Sequence, residues 1–355
     1  MKKTIFISAG SSGGHLFPAI TLANKLKELN HCVYFISNPN KIEGTILPAY
    51  GFEILPVTSP RLDMSLHGFV KLVFEIIRSI KESRVHVQHF KPAMIISFGG
   101  SVSFSIGILA FLSQIPLFIH EQNAVLGLTN QWIAPFARKI FTQFDLNSKL
   151  FQHKMIKVGS PRTSEFKNYR VNPSVYSALK LDNKMPLVVF VMGSLGSYTM
   201  QTMIKRMVEA YPNPQYQRLI ISGTRFYEEF KHLKNEATHT HIVDSISLID
   251  LYPHIDLLVT RAGATTMAEI LGARIPSILI PSPYVTRNHQ FMNSEYFIKH
   301  QASIVLDERE IDEHILMKHI NDLMNHPQQL LSMRLKLQTM SDLSELERML
   351  EHLPL

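Results

Sequence analysis

The 355-residue chain has a single cysteine, Cys32, and no low-complexity segment, short-period repeat or coiled-coil heptad pattern. One cysteine cannot form a disulfide within the chain, which fits a reducing compartment. Charged residues are also few, at 18% against 45% hydrophobic residues, a balance typical of a globular protein that buries a large core. The net charge of +7 indicates an anionic partner, without distinguishing phosphate, nucleic acid or a membrane surface.

The sequence also lacks a secretory signal and a convincing membrane span. Lys2 and Lys3 precede an apolar run at residues 4–9 that is too short for the core of a signal peptide. Residues 93–119 carry no charge and are long enough to cross a bilayer. However, Gly99-Gly100-Ser101 and the stretch at 113–116 interrupt this segment. It is therefore predicted to be a strand, a helix and a second strand, buried in the protein.

Short β-rich runs alternate with helical stretches along nearly the whole chain, which predicts parallel sheets with right-handed crossovers. The predicted strands of the first half are 4–9, 32–37, 53–57, 94–98, 117–120, 139–142 and 155–158. Those of the second half are 187–192, 218–222, 241–243, 257–260, 277–280 and 302–306. The fold class is α/β, with two Rossmann-like doubly wound domains that we expect to face each other across a cleft.

The polar stretch at 161–184 separates the two series of strands. We therefore expect one domain at 1–160 and a second at 161–334, with a C-terminal helix at about 335–355 packing back on the first. In doubly wound folds ligands bind at the carboxyl ends of the strands, so the loops after strands are where functional residues are expected.

The first strand ends in Gly10-Ser11-Ser12-Gly13-Gly14-His15. Glycines let the backbone approach a ligand, and a helix N-terminus offers N–H groups to negative charge. The spacing is neither G-x-G-x-x-G nor a Walker A loop, which disfavours a nicotinamide enzyme. Histidine side chains titrate near neutrality, so His15 is a possible general base, although a lone histidine is more often a surface or core residue.

Three further loops follow predicted strands. Glycine turns occur at 98–103 and 192–197, and His120-Glu121-Gln122-Asn123 is a dense polar cluster. That cluster either recognises a polyhydroxylated ligand or forms a structural network. A helix starts after Arg261-Ala262-Gly263, and its Glu269 either accepts hydrogen bonds from a ribose diol or is a glutamate favoured near a helix start.

In this order, the motifs resemble the MurG family of GT-B glycosyltransferases: Gly-Ser-Ser-Gly-Gly-His, Phe-Gly-Gly-Ser-Val-Ser, His-Glu-Gln-Asn, Gly-Leu-Thr-Asn, Arg-Ala-Gly-Ala-Thr-Thr-Met-Ala-Glu and Asn-His-Gln. The resemblance extends from about residue 4 to about residue 325. It implies inverting, metal-independent transfer of GlcNAc from UDP-GlcNAc to undecaprenyl-pyrophosphoryl-MurNAc-pentapeptide (lipid I), forming lipid II in peptidoglycan synthesis. It implies no cofactor, no nucleic-acid partner, and a peripheral location on the cytoplasmic face of the cell membrane.

The resemblance also implies roles for individual residues. His15 or Glu121 would be the catalytic base, and Glu269 would bind the ribose. Ile246 would hold the uracil, and Asn123 and Gln290 would contact the sugar. The remaining residues expected to line the substrates, including the diphosphate, are Ser12, Gly13, Gly14, Arg162, Ser194, Ala264, Thr265, Thr266, Met267 and Ala268.

The sequence departs from the family pattern in three places. Ser11 and Ser12 replace a Gly-Thr pair, and Leu195 stands where the family has glutamine, which removes a hydrogen-bonding group. The loop that ends in Arg162 is one residue shorter. Two alternatives remain open within the same fold, a UDP-GlcNAc 2-epimerase-like enzyme and another UDP-sugar-dependent transferase. A non-catalytic protein that binds a sugar nucleotide is a third.

Residues 66–84 supply a possible membrane contact. Phe69, Leu72, Val73, Ile76, Ile77 and Ile80 recur at helical spacing, with Lys71, Arg78, Lys81 and Arg84 beside them. A basic amphipathic helix can lie in an anionic bilayer interface. An ordinary helix packed on the sheet has the same pattern, and the sequence leaves both open.

Overall fold

The computed structural model describes residues 1–10, 12–60, 65–146, 150–169, 174–192 and 197–355. These residues form two compact units. The first contains Met1–Glu165 and Leu343–Leu355, and the second contains Phe166–Asp342.

The first unit is built on a seven-stranded parallel sheet in the order β3-β2-β1-β4-β5-β6-β7. Its strands are β1 (Thr4–Ser8), β2 (Cys32–Ser37), β3 (Ile54–Pro56), β4 (Met94–Ser97), β5 (Leu117–Glu121), β6 (Lys139–Thr142) and β7 (Met155–Lys157). Its helices are α1 (Gly13–Glu28), α2 (Ile42–Ala49), α3 (Leu66–Phe90), α4 (Ser101–Leu112) and α5 (Leu128–Ile133), with a C-terminal helix described below.

The second unit contains a six-stranded parallel sheet in the order β10-β9-β8-β11-β12-β13. The strands are β8 (Leu187–Val191), β9 (Gln217–Ile221), β10 (Thr240–Val243), β11 (Leu257–Thr260), β12 (Ser277–Leu279) and β13 (Ile304–Val305). The helices are α6 (Ser174–Leu179), α7 (Tyr198–Ala210), α8 (Tyr227–Phe230), α9 (Leu233–Glu236), α10 (Ala264–Ala273), α11 (His289–Lys299), α12 (Glu313–Asn325) and α13 (Pro327–Met340). Helix α14 (Glu345–Leu350) belongs to the first unit.

Both faces of the first sheet are covered, which explains its continuous apolar strands. In β1, Ile5 and Ile7 face a core that includes buried residues of α1 and α14, whereas Phe6 faces a core that includes buried residues of α4 and α5. The predicted strands are thus confirmed. The charge-free segment at 93–119 is β4, α4 and β5, as predicted. None of the helices in the described residues has the length and apolar character needed to cross a membrane.

The division between the units differs slightly from the predicted boundaries of 160/161 and about 335. The first crossing lies after Glu165, within a 3-10 helix at Pro161–Asn168. The return lies at Leu343, because α13 stays with the second unit through buried Leu330 and Met333. Helix α14 contributes Leu346 and Met349 to the core of the first unit.

Candidate active site

In the first unit, three loops meet at the carboxyl ends of the neighbouring strands β1, β4 and β5. Gly99 and Gly100 have φ angles of +99° and +94°, which glycine adopts readily. A Cβ on Gly100 would lie 2.8 Å from the carbonyl oxygen of Gly10. A Cβ on Gly99 would lie 3.2 Å from His15 Nε2 and 3.6 Å from Asn130 Nδ2. The loops after β1 and β4 are therefore in contact, and Gly99 and Gly100 leave no room for a larger side chain at that contact.

His15 lies in the first turn of α1 and is half-buried. Its Nδ1 is 2.8 Å from the carbonyl oxygen of Gly10 and 3.4 Å from Ser12 Oγ. A carbonyl can only accept, so Nδ1 carries the hydrogen, and Nε2 of the neutral ring carries the lone pair. His15 is thus held in the tautomer that a base acting through Nε2 needs.

Ser12, Gly13 and Gly14 form the start of α1. Ser12 is the exposed N-cap residue, and its carbonyl accepts from the N–H groups of His15 and Leu16. A Cβ on Gly13 would lie 3.0 Å from the ring of Phe17. These three predicted residues therefore lie beside His15, where a ligand could meet the helix N-terminus.

Glu121 is buried, and the structure argues against it as the base. Its Oε1 accepts from the backbone and side-chain N–H groups of Asn123, at 3.0 and 3.3 Å. Its Oε2 accepts from Gly127 N and Asn130 Nδ2, both at 2.8 Å. A carboxylate has about four lone-pair positions, so these four bonds use its accepting capacity. These bonds favour a role for Glu121 in holding the loop that carries Asn123, and they favour His15 as the base.

The other members of the polar cluster divide between structure and recognition. His120 is fully buried, stacks on Phe98 and lies 2.9 Å from the carbonyl oxygen of Gly159 through Nε2. Burial lowers the pKa of His120 to about 4, so the ring is neutral. Gln122 is also buried and donates to the His120 carbonyl oxygen. Asn123 is only half-buried, which leaves it able to meet a ligand.

Arg162 lies in the first unit, and its positive charge is paired with a carboxylate. Its Nη1 forms an ion pair with Glu165, and its guanidinium lies 5.3 Å from the centre of the Phe17 ring. The second oxygen of Glu165 accepts from Thr21 on α1. An anion at Arg162 would have to compete with Glu165.

In the second unit, α10 starts directly after β11, as predicted. Thr265, Thr266 and Glu269 are partly exposed and lie on one face of the helix, and Glu269 Oε2 accepts from Tyr252 Oη at 2.6 Å. Ala264, Met267 and Ala268 are buried, and the Met267 N–H donates to the carbonyl oxygen of Gly263. Because these three side chains pack into the core, only the backbone of these residues could meet a ligand at the start of α10.

Two other predicted residues of the second unit are accessible. Ile246 is half-buried in the loop after β10. Gln290 is in the first turn of α11, and its Oε1 accepts from Ser282 N at 2.9 Å. Among the described residues its Nε2 has no hydrogen-bond partner. Ser194 and Leu195 lie outside the described residues.

The residues that hold the α10 loop were not predicted. Arg261 Nη1 donates to the carbonyl oxygen of Ile280 at 3.0 Å and pairs with Glu308 at 2.8 Å, and both side chains are buried. Asn293 Nδ2 donates to the carbonyl oxygen of Ala262 at 3.1 Å. The arginine next to Gly263 was a visible signal, but no local pattern links it to a glutamate 47 residues away.

Comparison with known proteins decides the family. Residues 5–142 match the Glycosyltransferase family 28 N-terminal domain, and residues 187–347 match its C-terminal domain. The chain belongs to glycosyltransferase family 28. The first matched segment covers β1 to β6 of the first sheet, and the second covers all six strands of the second sheet.

Two similar curated proteins bear the name UDP-N-acetylglucosamine–N-acetylmuramyl-(pentapeptide) pyrophosphoryl-undecaprenol N-acetylglucosamine transferase. The protein from Latilactobacillus sakei is 33% identical over 91% of this chain and 92% of its own length. That from Bacillus pumilus is 32% identical, with 92% of each covered. This family-28 chain is accordingly a glycosyltransferase, as predicted.

Solved structures show the same fold. MurG of Acinetobacter baumannii matches 98% of both chains with a TM-score of 0.76 at 22% identity. A Listeria monocytogenes protein described as a UDP-N-acetylglucosamine 2-epimerase matches 99% of this chain and 95% of its own, with a TM-score of 0.72 at 13% identity. At these identities the likeness establishes the GT-B fold of two Rossmann-like domains and no specific activity.

Proposed function

We propose that this family-28 enzyme transfers GlcNAc from UDP-GlcNAc to undecaprenyl-pyrophosphoryl-MurNAc-pentapeptide, forming lipid II. The observation that carries the proposal is the arrangement of His15. Its Nε2, which carries the lone pair, lies beside Gly99, at the edge where the glycine loops of the first unit meet. The curated relatives, which bear the name of this transferase, support the choice of substrates.

The chemistry is a direct displacement that inverts the anomeric carbon and needs no metal. His15 Nε2 removes the proton from the acceptor hydroxyl, which then attacks the anomeric carbon as the bond to UDP breaks. On the donor side, Glu269 accepts from the ribose, Ile246 packs on the uracil, and Asn123 and Gln290 contact the sugar. The start of α10 lies toward the diphosphate, where a helix N-terminus stabilises the charge of the leaving group.

The test measures UDP release from UDP-GlcNAc with and without a lipid I analogue. We expect release that depends on the acceptor, with lipid II as product, and little turnover with UDP-GalNAc as donor control. Release without acceptor, or none with it, would contradict the proposal.

A UDP-GlcNAc 2-epimerase is the second candidate, because two epimerases share the fold at 13% and 11% identity. Formation of UDP-ManNAc from UDP-GlcNAc, without acceptor, would favour it. The relatives above 30% identity support the transferase instead.

A peripheral membrane location, on the cytoplasmic face where lipid I would be reached, is part of the proposal. Helix α3 carries a second apolar face that is exposed, formed by Val70, Val73, Phe74 and Ile77, and Phe74 is 68% exposed. Its spacing of i, i+3, i+4, i+7 is that of one helix face. Lys71, Arg78, Lys81 and Arg84 are exposed on the same helix.

The apolar residues that the sequence predicted to form one face of this helix divide into two groups. Leu72, Ile76 and Ile80 are half-buried, whereas Val73 and Ile77 are exposed. Nothing is described of the Phe69 side chain.

Flotation with liposomes that contain anionic lipid tests the membrane contact. We expect the wild type to float, and Phe74→Ser and the Lys71→Glu/Arg78→Glu variant to float less. Lys318→Glu, on an exposed position of α12, is the matched charge control. Equal flotation of all variants would contradict the assignment of this face.

A further inference from the structure

A buried carboxylate that the proposed chemistry does not use lies against the loop of His15. Glu43 is in the first turn of α2 and is only 1% exposed. Strands β1 and β2 are neighbours, so the loop after β1 and the start of α2 lie at the same edge of the sheet. Glu43 is therefore a buried acidic residue that belongs to the same cluster of loops as His15.

Glu43 contacts the loop at Gly10. A Cβ on Gly10 would lie 2.4 Å from Glu43 Oε1 and 3.3 Å from its carboxyl carbon. The carbonyl of Gly10 also lies against Gly100. The same carbonyl oxygen of Gly10 accepts a hydrogen bond from His15 Nδ1. Gly10 is therefore enclosed by Glu43 and Gly100 while it orients His15.

We propose that Glu43 is a positioning residue for His15, acting through Gly10. Its carboxylate lies beside Gly10 and repels the Gly10 carbonyl oxygen, which keeps that oxygen turned toward His15. His15 then retains the hydrogen on Nδ1 and the lone pair on Nε2. The arrangement resembles a carboxylate that orients a catalytic histidine, except that a backbone carbonyl stands between the two.

The inference rests on the proposed function, because it takes His15 as the base. Two other groups bear on the same histidine. Asn130 lies near Gly99, as His15 Nε2 does, and its Nδ2 donates to buried Glu121. Lys41 precedes α2 and donates to Ser59, which contacts Ser101 next to Gly100. Both are left intact in the experiment, so a change can be assigned to Glu43.

The experiment compares the full-length wild type with Glu43→Gln, Glu43→Asp and the control Glu53→Gln, an exposed glutamate of the same unit. The kcat and KM for UDP-GlcNAc are measured with a lipid I analogue. General acid–base catalysis contributes about 100- to 10,000-fold, and misplacing the base loses part of it. We expect kcat of Glu43→Gln to fall about tenfold or more, with KM for UDP-GlcNAc within about twofold. Glu43→Asp should retain more kcat, because it keeps the charge.

A second readout does not depend on turnover. The ¹⁵N NMR shifts of the histidine ring nitrogens, with His15 assigned by comparison with His15→Gln, report which nitrogen carries the hydrogen. We expect Nδ1–H in the wild type and in Glu53→Gln, and a mixture of tautomers in Glu43→Gln. An unchanged tautomer in Glu43→Gln, or Nε2–H in the wild type, would overturn the inference.

If the wild type shows no transfer, the proposed function fails, while the tautomer result still decides whether Glu43 positions His15. Should Glu43→Gln not fold, Glu43→Asp and the wild-type tautomer serve the same purpose.

Discussion

His15 Nδ1 lies 2.8 Å from the carbonyl oxygen of Gly10, five residues before it in the chain. The bond closes the turn between β1 and α1 and at the same time selects the protonation site of the imidazole. Because Gly10 in turn touches Gly100 and Glu43, the tautomer of one side chain depends on three segments of the first unit. The predictions below test this arrangement and the networks around it.

Replacing His15 tests the base. We expect His15→Ala to lower turnover about 100- to 10,000-fold, because the Ser12 hydroxyl and the Asn130 amide are much weaker bases than an imidazole. Affinity for UDP-GlcNAc should change little, since the predicted donor contacts lie elsewhere. Steady-state UDP release and calorimetric binding of UDP-GlcNAc measure the two effects. Near-normal turnover would show that another group removes the proton.

Glu121→Gln tests whether Glu121 holds the loop rather than transferring a proton. An amide nitrogen would face N–H donors, so at least one buried hydrogen bond is lost. Such a loss costs about 1–3 kcal/mol, and more where the group was charged. Trp132, the single tryptophan, lies in the next helix α5, so its fluorescence during urea unfolding reports on this unit. An unchanged free energy of unfolding together with lost turnover would restore Glu121 as a candidate base.

The sequence predicted the sheets well, because strands buried on both faces leave continuous apolar runs between glycines and prolines. It also predicted that His15 and Glu269 lie in the segments that follow β1 and β11, whereas their roles stay predictions. It could not separate His120 and Gln122, which are buried, from Asn123, which is accessible, since adjacent polar residues look alike in a sequence. Burial of Met267 and the pairing of Arg162 with Glu165 depend on packing and on distant contacts. The exposed face of α3 was missed for the same reason, because apolar residues occur on both of its sides.

The buried pair of Arg261 and Glu308 gives a prediction for the second unit. Removing one partner of such a pair leaves the other as an unpaired buried charge, which typically lowers the free energy of unfolding by about 3–5 kcal/mol. Removing both partners costs less. We therefore expect Arg261→Met to lower the free energy of unfolding strongly and to weaken UDP-GlcNAc binding, because the loop before α10 loses its anchor. The double variant Arg261→Met/Glu308→Leu should recover part of the stability.

The matched control for this pair is Arg309→Met. Arg309 forms an ion pair with Asp307 next to Glu308, but its side chain is exposed. Exposed pairs contribute about 0–1 kcal/mol, so this variant should remain close to the wild type. Urea unfolding followed by circular dichroism, with calorimetric UDP-GlcNAc binding, gives both quantities. If the double variant were less stable than Arg261→Met, the loss of stability in Arg261→Met could not be explained by the unpaired charge of Glu308.

The buried His120 makes stability depend on pH. Burial lowers its pKa from 6.5 to about 4, so between these values the unfolded chain binds a proton that the folded chain does not. The contribution is complete above pH 6.5 and is lost as the pH falls toward 4, with a total on the order of 3 kcal/mol. We expect His120→Gln to be less stable at pH 7 but to show a flatter decline of the free energy of unfolding between pH 6.5 and 4, measured by Trp132 fluorescence. The pKa of His254 is also lowered by burial, so His254→Gln, followed by circular dichroism, shows how much of the pH dependence comes from the second unit. Parallel slopes for the wild type and His120→Gln would mean that His120 is not held neutral in the folded protein.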